Sequence, residues 1–196
     1  MIQTDIPGYT YGTDAVPRSP VSLDELELIQ ATLLLGEDDR AALRRSADVL
    51  APQVEAILDV WYGFVGGNPH LLAAFVGPDG QPDQAYLAAV RRRFGRWILD
   101  TARAEFDQAW LDYQYEIGLR HTRESKNRTD RAQAADHIPL RYVLALLIPI
   151  TTTLEPFLAN GGATPDEVDS MHQAWVKAVL LQVILWSQPY VRDGDF

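Results

Sequence analysis

The sequence predicts an all-α fold, because apolar side chains recur at spacings of three and four residues through most of the 196-residue chain. Residues that favour helix caps precede several of these segments, and glycine or proline follows them. No segment shows the alternation of apolar and polar residues that is typical of a strand. We therefore predict a single domain over residues 1–196 with about seven or eight helices of unequal length, rather than a symmetric four-helix bundle.

Most of the predicted helices begin and end at a recognisable signal. Residues 1–21 are rich in proline and glycine and predict an irregular segment. Ser22 and Glu25 form a capping-box pattern for the first helix, which Gly36 ends. Thr164, which a proline and a glutamate follow at capping positions, is the clearest helix start in the chain. The predicted helices span about residues 23–35, 37–50, 52–66, 69–75, 83–102, 108–122, 138–159 and 165–187.

A proline lies inside the apolar helix that is predicted over residues 138–159. Pro149 has no amide hydrogen and leaves the carbonyl of Ala145 without its helical partner, so we expect a kink there. The kink either opens space for a ligand or bends the helix around its neighbours.

Composition excludes several classes of site and partner. The chain has no cysteine, which excludes disulfides, thiolate-bound zinc and iron–sulfur clusters. Its net charge of −10 repels phosphate backbones and anionic lipid, so we expect no nucleic acid and no membrane as a partner. The longest apolar runs, Val143–Ile150 and Val179–Trp186, are shorter than the ~18–20 residues that span a bilayer. The N-terminus does not resemble a signal peptide, so the expected location is cytoplasmic.

His121 is the best candidate for a metal ligand. Trp110, Tyr113, Ile117 and His121 follow one another at spacings of three and four, so the histidine ends an apolar stripe near the end of a helix. Gly118 lies beside it, and a glycine inside a helix costs about 1 kcal/mol relative to alanine. A flat macrocycle lying against the helix would explain that glycine. The spacing fits either an axial haem ligand or a partly buried histidine bonded to a backbone carbonyl.

Two aromatic residues of the third predicted helix also have two interpretations. Trp61 and Tyr62 face inward, and Tyr62 is either a hydrogen-bond donor to a bound diatomic ligand or an ordinary core residue. Phe94, in the fifth predicted helix, is a core residue by default. Familiar nucleotide-binding and hydrolase motifs are absent from the sequence, and its four histidines form no pair of Glu-x-x-His motifs for a di-iron site.

These residues, taken with their neighbours, resemble the protoglobins, single-domain haem globins of archaea and some bacteria. The string at residues 107–121, DQAWLDYQYEIGLRH, is highly specific. Other matching strings occur in the same order along the whole chain: IPGYTYG at 6–12, WYGFVG at 61–66, YLAAVR at 86–91, RWILDT at 96–101, TP at 164–165, QAW at 173–175 and DF at 195–196.

The resemblance implies a globin-like fold with an additional N-terminal helix, here about Leu23–Leu35. It also implies a haem b cofactor (iron protoporphyrin IX) whose iron is bound by His121. Residues 1–21, including Tyr9 and Tyr11, would fold over the haem edge. The fold would form a homodimer through its last two long helices, and we expect the run Val179–Trp186 to form the contact.

The resemblance further implies which residues line the haem. Trp61, Tyr62 and Phe94 would lie on the distal side, and Arg93 would bind a propionate, since a guanidinium matches a carboxylate well. The remaining cofactor contacts that we expect are Val90, Ile117, Leu147 and Ile150.

The sequence departs from the family pattern at two places. Thr122 follows the ligand where the archaeal pattern has a second histidine, which removes an ambiguity over the ligand. The wall supplied by the Pro149 helix is aliphatic (Leu146, Leu147 and Ile150), so the family's pocket size does not transfer.

The expected function is haem-based binding of O₂, CO or NO, as a sensor, scavenger or carrier. The alternative is a haem enzyme, such as an NO dioxygenase or a peroxidase-like protein, that uses a separate reductant. A haem-free helical module that signals through partner contacts is the third possibility, and the stripe that ends at His121 weighs against it.

Overall fold

The computed structural model describes residues 6–192 and 194–196, and these residues form nine α-helices and no strand. The all-α prediction is confirmed. The helices are α1 (Leu23–Thr32), α2 (Glu37–Leu50), α3 (Val54–Gly66), α4 (Pro69–Leu72), α5 (Gln84–Arg103), α6 (Gln108–Leu119), α7 (Leu140–Ala145), α8 (Leu147–Ala159) and α9 (Pro165–Ser187). Short 3₁₀ turns follow α2, α4 and α9, at Ala51–Gln53, Ala73–Phe75 and Gln188–Tyr190.

Helix starts agree with the sequence signals more closely than helix ends do. The side chain of Ser22 accepts a hydrogen bond from Glu25 at the start of α1, and that of Thr164 accepts one from Glu167 at the start of α9. α1, however, ends before the predicted Leu35, because Leu34 adopts a left-handed conformation with φ of 54°. α6 ends at Leu119, so His121 lies just beyond the helix.

The single helix predicted over residues 138–159 is wrong, because the structure divides it at Leu146. Pro149 lies in the first turn of α8, where a missing amide hydrogen is tolerated. The amide of Leu146 bonds to the carbonyl of Tyr142 (3.0 Å), and the amide of Ile150 bonds to the carbonyl of Leu146 (3.1 Å). The kink expected at this proline is therefore confirmed as an interruption between α7 and α8.

The stretch Leu140–Ala159 is long and apolar enough to cross a membrane, judged by length and composition alone. Its mean hydropathy is 1.6, which corrects the expectation that no apolar stretch reaches that length. In the fold, α8 packs against α3 and α9. Its other side leaves apolar residues exposed, since Leu144 is 48% and Ile148 64% exposed. The stretch therefore has one packed side and one apolar side that faces outward.

α9 is at the centre of the fold, with α2, α6 and α8 packed around it. Met171, Trp175 and Val179 are completely buried along this helix. The expectation that Val179–Trp186 forms a dimer contact is wrong, because most of this run is buried within the protomer's own core. Amphipathic spacing could not reveal this, since α9 is covered from several directions and is apolar nearly all round.

Gly118 allows α6 to approach the end of α9. A Cβ atom at this position would lie 3.1 Å from the Cα and 3.2 Å from the carbonyl oxygen of Trp186. The reason for this glycine is therefore contact between two helices, and the expectation of a macrocycle lying against it is wrong.

We expect Gly118→Ala to lower the free energy of unfolding by about 1–3 kcal/mol, because the backbone of α9 must move to accommodate the methyl group. Gly63→Ala in α3 is the matched control, since a Cβ there meets nothing within 4 Å. That control should raise stability by up to about 1 kcal/mol through helix propensity. Urea unfolding followed by circular dichroism measures both, and a Gly118→Ala protein as stable as the parent would contradict this account of the glycine.

Candidate functional site

His121 follows the end of α6, and its ring is oriented by the helix itself. Its Nδ1 lies 2.7 Å from the carbonyl oxygen of Ile117. A carbonyl only accepts hydrogen bonds, so Nδ1 carries the proton and Nε2 keeps a free lone pair. Nε2 has no hydrogen-bond partner in the part of the chain that the structure describes. The bond to a backbone carbonyl is what the second sequence interpretation predicted, and a free Nε2 with a fixed tautomer is also the arrangement of a metal-binding histidine.

The protonation state of His121 also suits a metal ligand. Burial lowers its pKa, the hydrogen bond to Ile117 partly offsets that effect, and the charges of Lys126 and Arg120 lower the pKa further. The ring is therefore neutral at pH 7, and neutral imidazole is the form that coordinates iron.

Trp186 at the end of α9 and Tyr190 in the 3₁₀ turn after it hold His121 in place, and no pattern in the sequence indicated either contact. The hydroxyl of Tyr190 lies 2.9 Å from the carbonyl of His121 and 2.7 Å from that of Ile138, so its one proton is shared between them. The amide of Ile138 donates to the same His121 carbonyl at 2.8 Å. The ring of Trp186 stacks on the histidine, with 5.7 Å between ring centroids.

Most of the expected site residues pack into one apolar cluster. The ring of Trp61 lies 5.5 Å from that of Phe94, which stacks in turn on Trp97 at 5.1 Å. These rings join α3 to α5. Other expected residues belong to the same cluster of the core: Tyr62, Ile117, Leu147 and Ile150. Val90 is half-buried one turn before Phe94 and lies outside that cluster.

Tyr62 faces a cleft between α3 and α5. The cleft has a volume of 420 Å³ and is lined by Tyr62, Val65, Gly66, Leu72, Pro82, Gln84, Leu87, Ala88 and Arg91. The guanidinium of Arg91 lies over the tyrosine ring at 5.7 Å. Burial raises the pKa of Tyr62, so its hydroxyl keeps its proton at neutral pH. A larger cleft of 660 Å³, between α2 and the α5–α6 connection, contains none of the expected site residues.

Arg93 is bound to a carboxylate of the chain itself. Its guanidinium makes two contacts with Asp130, of 2.9 and 2.5 Å, and also donates to the carbonyl of Pro7 at 2.7 Å. Both charged side chains are almost completely buried. The guanidinium of Arg93 is thus already paired within the chain, by a partner 37 positions away that sequence spacing could not foresee, and its role as a propionate partner stays a prediction.

The N-terminal segment contacts both α5 and the end of α6. The hydroxyl of Tyr9 donates to Asp100 on α5 at 2.6 Å, and Arg120, beside His121, donates to the carbonyl of Gly8 at 2.7 Å. The rings of Tyr9 and Tyr11 pack on Tyr113 of α6, at 5.5 and 5.3 Å. The segment thus bridges α5, which carries Phe94, and the end of α6 beside His121, and we call the region between these two residues the crevice. Residues 1–5 of the predicted cover lie outside the described part of the chain.

The residues at this site fit a haem. The donor is a neutral imidazole with one free nitrogen, and the aromatic and aliphatic cluster offers the apolar walls that a macrocycle requires. Basic side chains, among them Arg93 and Arg120, lie near the N-terminal segment at one edge. The residue that follows His121 in the sequence is Thr122, so no second histidine is adjacent to the candidate ligand.

Comparison with known proteins agrees with this arrangement. The globin domain of a Geobacter sulfurreducens globin-coupled sensor superposes with a TM-score of 0.66 at 16% sequence identity. The match covers 85% of this chain and 97% of that one, which shows a globin fold. No curated protein matches the chain. The Protoglobin family model matches residues 22–196, including the additional N-terminal helix α1. The chain therefore belongs to the protoglobin family.

Proposed function

We propose that this protein binds the diatomic gases O₂, CO and NO at a haem b held by His121, as a sensor, scavenger or carrier. Membership of a globin family implies haem. The observation that supports the proposal for this chain is the hydrogen bond from His121 Nδ1 to the carbonyl of Ile117, which leaves Nε2 unprotonated and without a partner among the described residues. Haem b fits because no cysteine is present to attach the cofactor covalently. We place the protein in the cytoplasm, where proteins without disulfides are typical.

A haem iron that has one protein ligand can bind a small gas at its remaining free coordination position, and this is the chemistry that a bound haem would supply. Two of the other histidines have neighbours of their own. The ring of His70 packs on Tyr142, with 5.2 Å between ring centroids, and His137 lies 2.7 Å from Asp136. The third, His172 on α9, has a buried Nε2 without a hydrogen-bond partner among the described residues. His121 differs from it in that a backbone carbonyl fixes its tautomer, so we assign His121 as the single protein ligand.

We expect His121→Ala to abolish stable haem retention or to leave a site that added imidazole restores. The variant removes the one neutral Nε2 in the crevice while its apolar walls remain. Absorption spectra of the reconstituted ferrous protein, with and without imidazole, measure the effect. His137→Ala is the control and should leave the spectrum intact. An unchanged spectrum in His121→Ala would assign the ligand elsewhere.

Tyr62 is our candidate for the polar contact to a bound gas. Its hydroxyl is protonated, is largely removed from solvent, and has no hydrogen-bond partner among the described residues. A phenol in an apolar pocket stabilises a ligand that carries partial negative charge, and bound CO is less polar than bound O₂. We also propose that the cleft beside Tyr62 is a route by which gases enter, because aliphatic side chains such as Val65 and Leu87 line it.

We expect Tyr62→Phe to raise the O₂ dissociation rate by about a few-fold to tenfold and to change CO dissociation little. A neutral hydrogen bond contributes ~0.5–1.5 kcal/mol net, which sets that range. Ligand-replacement kinetics give both rates, and Tyr115→Phe, outside the cleft, is the control. Equal changes for the two gases would mean that Tyr62 acts by shape alone.

We propose that a second copy of this chain covers the outer side of α7 and α8. Leu144 and Ile148 are exposed there, within a stretch whose only ionic side chains are Arg141 and Glu155. A contiguous exposed apolar surface of this kind often marks an interface, and a homodimer with two-fold symmetry would bury it twice. Of the two long helices that the sequence analysis named for the interface, this proposal keeps the stretch that forms α7 and α8 and omits α9.

We expect Ile148→Glu to convert a dimer into a monomer, because two carboxylates would then be buried at a symmetric contact. Leu28→Glu on α1 is the matched control, since Leu28 is equally exposed (69% against 64%) on another helix. Light scattering at micromolar concentration reports the mass. A parent protein that is already monomeric would refute the interface.

A further inference from the structure

Lys126 is a buried cation in the irregular segment between α6 and α7. The residue as a whole is only 3% exposed to solvent. Its Nζ donates to the carbonyl of Ala74 at 2.8 Å and lies 5.1 Å above the ring of Tyr86. No carboxylate of residues 6–192 or 194–196 lies within ion-pairing distance of it. Burying an ammonium group without a counter-charge is unfavourable, so its position needs an explanation.

Lys126 connects the segment that follows His121 with α5 and with the 3₁₀ turn after α4. It follows His121 by five residues, and its charge is close enough to lower the pKa of that histidine. Its contacts, however, are on the opposite side: Ala74 lies in the 3₁₀ turn after α4, and Tyr86 lies on α5. Tyr86 precedes Phe94 by two helical turns and shares its face of α5. The ammonium group therefore lies between the segment that follows His121 and the helix that carries Phe94.

Three nearby arginines differ from Lys126, because each is paired with a carboxylate. These pairs are Arg93 with Asp130 at 2.5 Å, Arg96 with Asp100 at 2.9 Å and Arg120 with Glu116 at 2.7 Å. Lys126 has three N–H groups, of which one bonds to Ala74. Its other polar contact, with Asn127 Oδ1, is at the limit of hydrogen bonding at 3.5 Å. Lys126 thus has both a donor and a charge to offer.

We propose that Lys126 is the counter-ion of a haem carboxylate and the main charged contact of the cofactor at this edge. The proposal rests on the proposed haem function and replaces Arg93 in the role that the sequence resemblance gave it. A haem is apolar except for two carboxylates at one edge, which matches an apolar cluster with a buried cation between α5 and the segment that follows His121. Burial lowers the pKa of Lys126 to about 8, and a bound carboxylate would raise it again.

The test compares protohaem with its dimethyl ester, which has the same macrocycle without the charges. Both are loaded into the apoprotein, and their loss to excess apomyoglobin is followed by absorbance. We expect the parent to lose the ester about ten- to hundredfold faster than protohaem. Lys126→Met should lose protohaem about as fast as the parent loses the ester, and should discriminate little between the two. Lys126→Arg keeps the charge and should restore the discrimination.

Arg93→Met is the matched control, since it breaks the pair with Asp130 and the contact with Pro7. It should accelerate the loss of both haems by the same factor. If Lys126→Met also accelerates both losses equally, Lys126 acts only by anchoring its segment to Ala74 and Tyr86, and the proposal is overturned. A parent protein that does not distinguish the two haems would overturn it independently of any variant. A parent that binds neither haem would instead refute the proposed function.

Discussion

The close approach of α6 to the C-terminal end of α9 is the contact on which the candidate site depends. Gly118 makes it possible, because any larger residue would meet the backbone of Trp186. The same contact brings Trp186 against the ring of His121 and Tyr190 against its carbonyl. The carbonyl of Ile117, in the last turn of α6, also restrains the ring of His121, because it accepts a hydrogen bond from Nδ1. The direction of Nε2 is thus set by packing and by backbone hydrogen bonds, and a metal is not needed to orient it.

Electrostatics at the edge of the crevice follow a simple pattern. The protein is acidic overall, yet several basic side chains gather between α5, the end of α6 and the N-terminal segment. Most of them bind this segment or a nearby carboxylate and therefore stabilise the fold. Lys126 differs in being buried without a carboxylate partner among the described residues, and its amine contacts a backbone carbonyl and an aromatic face. The paired cations therefore stabilise the fold, whereas Lys126 is suited to bind a ligand.

Local sequence signals predicted the helices well, because capping and periodicity act over a few residues. Ser22 and Thr164 start helices as predicted, and the stripe that ends at His121 identified the candidate ligand. Predictions that needed long-range information were less successful. The run Val179–Trp186 is apolar because other helices surround it, and Gly118 faces α9 rather than a cofactor. The ion pair of Arg93 with Asp130 and the hydrogen bond from Tyr190 to the carbonyl of His121 join segments that are distant in sequence. Spacing along the chain does not encode such contacts.

The absorption spectrum of the purified, haem-loaded ferrous protein, with and without CO, tests the central claim most directly. If His121 is the single protein ligand, the ferrous haem is five-coordinate, and CO converts it fully to a six-coordinate species with a shifted Soret band. A ferrous spectrum that is already six-coordinate and does not respond to CO would mean that a second side chain occupies the open position. A protein that retains no haem after reconstitution would contradict the account as a whole.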